Sequence, residues 1–258
     1  VPVINFEIFE AGFHSVRAFQ SRPIPAIRLL LWSFLPALIF VLSGTVSAAI
    51  APEGGLVVSG LQLVILLSLL ASVHTAYLRF LVDGDVYDGI PFRFGGLEVK
   101  LLGTLVYWTA LALTGFILFF FVALPLLGGP NMTSFAFLGM LLIPGQFWIS
   151  VRTCPVLAMS YLDRKVVRLD VWPATYGIFW QTLLSLLLVG LVLWTINLVL
   201  GILFQDVNAP SEVLSFPLSL LAVFLGFALT GFLLGPGAYI AIRVRDIRSD
   251  PSLDPPSA

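Results

Sequence analysis

Long apolar runs alternate with short polar joints along the whole chain. Six runs, at 27–50, 56–82, 99–127, 132–161, 174–204 and 213–242, reach the roughly 20 residues that a helix needs to cross a bilayer. Backbone in lipid must satisfy its own hydrogen bonds, so these runs read as α-helices. The joints at 51–55, 128–131 and 205–212 are short and force antiparallel neighbours. The pattern therefore predicts an all-α polytopic membrane protein, with six transmembrane helices arranged as three antiparallel hairpins. Ahead of the first run, Phe6, Phe9, Phe13, Val16 and Phe19 recur at helical spacing, with Glu7, Glu10, His14 and Arg17 on the opposite arc. That is an amphipathic helix suited to lying in the headgroup plane, or to docking on the bundle or a partner. The expected organisation is a cytoplasmic amphipathic segment at 1–26, a six-helix transmembrane domain at 27–242 and a basic, disordered tail at 243–258.

Charge sharpens this picture. The 13 Lys and Arg residues occupy only every second joint: Arg17, Arg22 and Arg28; then Arg79, Arg93 and Lys100; then Arg152, Arg164, Lys165 and Arg168; last Arg243, Arg245 and Arg248. The intervening joints hold none. Cytoplasmic loops of membrane proteins carry this excess of cations, so both termini are expected in the cytoplasm and the number of spans is expected to be even.

Composition agrees with a membrane protein and removes several alternatives. Apolar residues make up 59% of the chain and charged residues 10%, against roughly a quarter charged in soluble domains. No segment is basic enough to suggest nucleic acid. A single cysteine, Cys154, rules out an internal disulfide and every multi-cysteine metal site. Ser47-Ala48-Ala49 is like a signal-peptidase site, but the run it ends is long enough to span, so the segment is expected to be retained. Val1 fits loss of an initiator methionine.

Recurring triplets suggest divergent repeats. Ala76-Tyr77-Leu78, Ser160-Tyr161-Leu162 and Ala238-Tyr239-Ile240 each precede arginines, and Trp32-Ser33, Trp108-Thr109 and Trp180 with Thr182 mark the partner helices. Aromatics that simply belt the membrane interface give the same pattern.

Candidate chemistry is sparse. There is no His-Glu-x-x-His, no Gly-x-Ser-x-Gly and no intramembrane Asp pair, so the chain is expected not to be an enzyme. His74 is the candidate ligand for a haem or chlorophyll-type pigment; the alternative is a neutral histidine bonded to a neighbouring helix. Asp83, Asp85 and Asp88 resemble a calcium loop only superficially, since Tyr87 and Phe94 stand where oxygen ligands belong. Gln62, Gln146 and Asn197 either bridge helices or line a cavity. Pro36, Pro125, Pro144, Pro155, Pro217 and Pro236 interrupt runs or their ends, as helix kinks or as the broken helices of a binding site. Gly231 and Gly235 form a small-residue face for close helix approach, within the chain or between chains. Asn131-Met132-Thr133 matches a glycosylation sequon set too close to the membrane to be used. Arg164, Lys165 and Arg168, in the densest basic joint, are candidates for contact with anionic headgroups.

Two stretches carry a resemblance. PFRFGGLEVKLLG at 91–103 and VRTCPVLAMSYLDRKVVRLDVWPATYGIFW at 151–180 resemble an uncharacterised six-span inner-membrane protein family of alphaproteobacteria. The layout is also loosely similar to the membrane domain of glycerophosphodiester phosphodiesterases; the sequence holds no catalytic domain beside it, so that activity does not transfer. The resemblance implies six spans and a bacterial inner membrane, and no catalytic residues.

The preferred expectation is a non-catalytic membrane subunit that scaffolds, or is accessory to, a larger inner-membrane complex, with Phe6, Phe9, Phe13 or the Gly231–Gly235 face meeting other integral membrane proteins. The alternative is a transporter or lipid-handling protein with a cavity between hairpins. A pigment- or haem-binding subunit through His74 is the third. Bound membrane lipids are expected in each case.

Overall fold

A computed structural model of the chain describes residues 7–50, 55–85, 91–92, 94–118, 121, 125, 145, 148–168, 174–175, 177–204 and 212–249. Its regular elements are α1 (Ile8–Gly12), α2 (His14–Ser21), α3 (Pro23–Trp32), α4 (Phe34–Ile50), α5 (Leu56–Leu78), a π-helical turn (Arg79–Asp83), α6 (Gly96–Leu118), α7 (Val156–Asp163), α8 (Phe179–Phe204), α9 (Glu212–Leu233) and α10 (Gly235–Ser249). The all-α expectation agrees with these elements, but the six-span, three-hairpin arrangement does not. Among the described residues three stretches are long and apolar enough to cross a membrane: Pro23–Ser47, Val57–Asp83 and Leu220–Ser249. The Phe179–Val192 part of α8 is a further apolar helical stretch.

Hydrophobic run length overstates helix length here for identifiable reasons. In the run at 132–161, helix at 148–153 gives way to a turn at Cys154-Pro155 before α7 begins. Pro155 has no N–H to continue the ladder, and only eight residues of helix follow it. In the run at 174–204, the chain passes Gly177 at φ 79° before α8 starts at Phe179. The short joints that suggested hairpins fall almost wholly outside the described residues, as do the sequon and the tail beyond Ser249.

Packing also crosses the boundaries of the expected hairpins. α4 lies against both α5 and α9, α5 against α6, and α7 against both α6 and α10. The core runs through Leu29, Ala71, Val73, Tyr77, Leu78, Phe80, Leu101, Ile178, Ala238 and Ile240, all essentially without exposure.

The N-terminal segment docks on the bundle, one of the alternatives that its amphipathic pattern left open. It breaks at Phe13 (φ −98°, ψ 10°) into α1 and α2. α1 seats against α8 and α10, and it buries its small residues rather than its aromatic ones. Ala11, Gly12 and Ser15 are buried, and a Cβ on Gly12 would approach Leu188 to 2.9 Å. Ser15 Oγ donates to the Gly231 carbonyl at 2.8 Å, and Ser185 Oγ to the Ile8 carbonyl at 2.9 Å. A seat this close admits no bulky side chain, so the phenylalanines go elsewhere. Phe19 packs among Tyr77, Phe80 and Phe232, while Phe9 is left 68% exposed.

Candidate functional site

The second candidate span ends in the π-helical turn Arg79–Asp83, closed by Gly84 in the left-handed region (φ 70°). A π turn inserts an extra residue into the helical ladder and is found often where a helix serves a site. Phe80 and Leu81 fill the core side of the turn, while Arg79 and Asp83 both line a polar pocket beside it.

The Leu81 carbonyl receives a hydrogen bond from His14 Nε2 at 3.2 Å. A carbonyl only accepts, so this ring carries its proton on Nε2. Burial of His14 is the main influence on its pKa and pushes it below the ordinary 6.5, with the Leu81 bond opposing the shift. On the same side of the turn a cavity of about 330 Å³ is lined by His14, Arg17, Arg22 and Asp83 among others. The Arg22 guanidinium covers Gly84, and the left-handed backbone at position 84 favours glycine.

A second cavity, of about 310 Å³, lies beside the turn and is lined by Arg79, Asp83, Asp85, Leu97, Tyr161, Leu162 and Arg164. The Tyr161 hydroxyl donates to the Asp83 carboxylate and also interacts with Arg79. Arg164 caps the C-terminal end of α7 with φ 50° and ψ 38°. Helices commonly end in this conformation, but on glycine or asparagine.

Further ion pairs join these pockets to the rest of the same end. Glu10 accepts from Arg17 at 3.0 Å and from the Tyr239 hydroxyl at 3.3 Å, and faces Arg243 at 3.8 Å. The Arg17 hydrogen bond is the first cause of a Glu10 pKa below the usual carboxylate value. Asp163 meets Arg248 at 3.1 Å and Lys165 at 3.6 Å. Members of the four basic groups legible in the sequence thus gather in one region, around Glu10, Asp83, Asp85 and Asp163. Exposed pairs such as these add little to stability; their chief effect is to set charge density at that end.

The other residues singled out from sequence are scattered. His74 lies in α5 with Nδ1 buried and without a hydrogen-bond partner. Among the described residues no group of three or more His, Cys, Asp or Glu is placed to hold a metal. Gln62 reaches from α5 to α4, donating to the Phe40 carbonyl and accepting from Ser43, both at 3.4 Å. It lines an open apolar groove of about 350 Å³ with Phe40, Gly44, Ser47, Val58 and Leu66. Gln146 and Phe6 lie outside the described residues, and Asn197 sits on α8 with its side chain outside them. Phe13 is half-buried at the break between α1 and α2. Gly231 and Gly235 are occupied within the chain, by the Tyr77 ring and by Ser15. Lys165 and Arg168 are exposed beyond α7.

Sequence reading missed the contacts that build the site. Tyr161 and Asp83 are 78 positions apart, and His14 and Leu81 are 67 apart. One clue was present. Tyr77, Tyr161 and Tyr239, the three repeated tyrosines, are all buried, and their hydroxyls meet Ser33, Asp83 and Glu10 respectively. Arg152 was also missed as an interior group. It is buried, donates to Thr175 Oγ1 at 2.8 Å, and lies 5.8 Å and 5.9 Å from the ring centroids of Trp148 and Phe179. No protein-family model, curated protein or solved structure matches the chain.

Proposed function

We propose that this chain is a non-catalytic multi-pass subunit of a bacterial inner membrane, accessory to a larger membrane assembly, with its charged end toward the cytoplasm. One observation carries the reading. α1 and α8 pack together, and each holds a large aromatic side chain outward: Phe9 is 68% exposed and Trp180 is 70% exposed. Aromatic groups held outward on a rigid seat are suited to anchoring a partner helix. The buried polar pairs, Ser33 with Tyr77 and Thr104 with Ser160, tie helices to each other and favour a rigid framework over a moving path. Orientation rests on charge: Glu10 near the N-terminus meets Arg243 in the last helix, and cation-rich ends face the cytoplasm.

The test is purification from native membranes, with a photo-crosslinking amino acid at position 9 or 180. The expected result is a crosslink from both positions to the same integral membrane protein. A monodisperse monomer, with no crosslinked protein at either position, overturns the proposal.

A second reading, a lipid-handling protein, is favoured by the groove at Gln62. Its apolar walls and single amide suit an acyl chain near its ester. Gln62→Leu then lowers the lipid that co-purifies, whereas unchanged lipid content with unchanged stability removes this reading.

A further inference from the structure

The pocket beside the π-helical turn has a charge pattern that the subunit reading does not require. Its ionic walls are Arg79 and Arg164 on one hand and Asp83 and Asp85 on the other, so its formal charge sums to zero with both signs present. The carboxylate of Asp83 is already engaged by Tyr161, which leaves Asp85 as the acceptor turned to the cavity. Leu97 and Leu162 complete the wall and give it an apolar side. The pocket stands at the end of the Val57–Asp83 candidate span, and the ends of membrane spans meet the headgroup region. Its volume of about 310 Å³ falls within the range of small-ligand sites, about 300–1,000 Å³. Basic pockets between transmembrane helices bind lipid headgroups, but a purely anionic headgroup would face the carboxylate of Asp85 unpaired.

We propose that this pocket binds a phosphodiester headgroup that also carries a primary amine, with the phosphate held by Arg79 and Arg164 and the ammonium by Asp85. Guanidinium groups bind phosphate oxygens through directed pairs of N–H donors. An ammonium supplies N–H donors to a carboxylate, which a trimethylated amine lacks. The left-handed backbone at Arg164 suits the assignment: the chain keeps a long cation where helix termination favours glycine. The same headgroup chemistry occurs on a membrane phospholipid and on a free glycerophosphodiester.

The test uses the purified full chain in mixed micelles that offer phosphatidylethanolamine, phosphatidylglycerol and phosphatidylcholine in equal amounts, read by native mass spectrometry. The unaltered protein is expected to retain phosphatidylethanolamine over the other two by about ten-fold, the worth of one charge-assisted hydrogen bond. Arg164→Gly, which suits the left-handed backbone and so keeps the fold, is expected to lower retention of all three lipids, because each carries the phosphate that Arg164 binds. Asp85→Asn, at an exposed site, is expected to shift preference toward phosphatidylglycerol by leaving the pocket with net positive charge. Equal retention of the three lipids, a preference unchanged by Asp85→Asn, or retention unchanged by Arg164→Gly overturns the proposal. Glycerophosphoethanolamine added to the loaded protein identifies the source. Displacement at comparable concentration supports the assignment with the free diester as ligand, and failure to displace supports it with the membrane lipid as ligand.

Discussion

Gly231 of α9 lies flat against the ring of Tyr77 in α5, so close that a Cβ at position 231 would overlap the ring. Tyr77 has no exposure, and its hydroxyl is held 3.1 Å from Ser33 Oγ, so the ring cannot swing aside without losing that bond. Gly231→Ala is therefore expected to destabilise the bundle by about 1–3 kcal/mol, the usual cost of overpacking. Gly237→Ala should cost at least as much, because its Cβ would meet the Cys154 carbonyl, and backbone yields less readily than a ring. Gly60, with nothing within 4 Å of an added Cβ, is the control: Gly60→Ala should be neutral or stabilising. Unfolding midpoints in one detergent rank the three.

The Ser33–Tyr77 bond is itself measurable. Both groups are buried, and Ser33 Oγ also donates to the Leu29 carbonyl at 3.0 Å, so Ser33→Ala strands the Tyr77 hydroxyl while Tyr77→Phe leaves Ser33 its bond to Leu29. Ser33→Ala should cost about 1–3 kcal/mol and Tyr77→Phe about 1 kcal/mol, and the double variant less than their sum. Additive losses would show that the two hydroxyls do not interact.

Seating of the N-terminal segment should weaken in acid. Burial lowers the His14 pKa below its ordinary 6.5, so the seated ring is neutral and the released ring takes up a proton more readily. The contribution is fully present above about pH 6.5 and is lost as pH falls through the lower, seated-state value. Limited proteolysis of the segment between neutral and mildly acidic pH should show faster cleavage at the acid end. His14→Gln, which can still donate to the Leu81 carbonyl, should flatten that part of the dependence. A segment equally protected at both pH values contradicts this.

Arg164→Gly should raise stability by about 1 kcal/mol, because glycine adopts the left-handed region without a Cβ penalty. The same substitution should weaken headgroup retention. Opposite signs in the two measurements separate a residue kept for binding from one kept for folding.

Much of the helical content was legible, because apolar runs and helical periodicity depend on near neighbours. The length of each helix was less so. The run at 132–161 is apolar throughout most of its course, yet Pro155 and the turn at Cys154 divide its last part, and hydropathy does not register a missing N–H. The N-terminal helix was legible as amphipathic, but which face would be buried was not. Phenylalanine periodicity pointed to one arc, whereas the available seat, against Leu188 and Gly231, admits only Ala11, Gly12 and Ser15. The four basic groups were visible as cations sharing one side. The pocket was not, since Arg79, Asp85 and Arg164 come together only when α5 and α7 pack. The repeated tyrosines came nearest to revealing it: Tyr77 and Tyr161 lie near helix ends and Tyr239 in the second turn of α10, but the partner of each hydroxyl lies in a different segment.

The hydrogen bond from Ser15 to the Gly231 carbonyl joins residues 216 positions apart, and it imposes an order on biosynthesis. Ser15 leaves the ribosome 216 positions ahead of Gly231, so part of its berth is translated long after it. Until that later part is inserted, Ser15 lacks its acceptor and α1 has only α8 to rest against, and a chain truncated before residue 231 should show its first helices more readily to a protease.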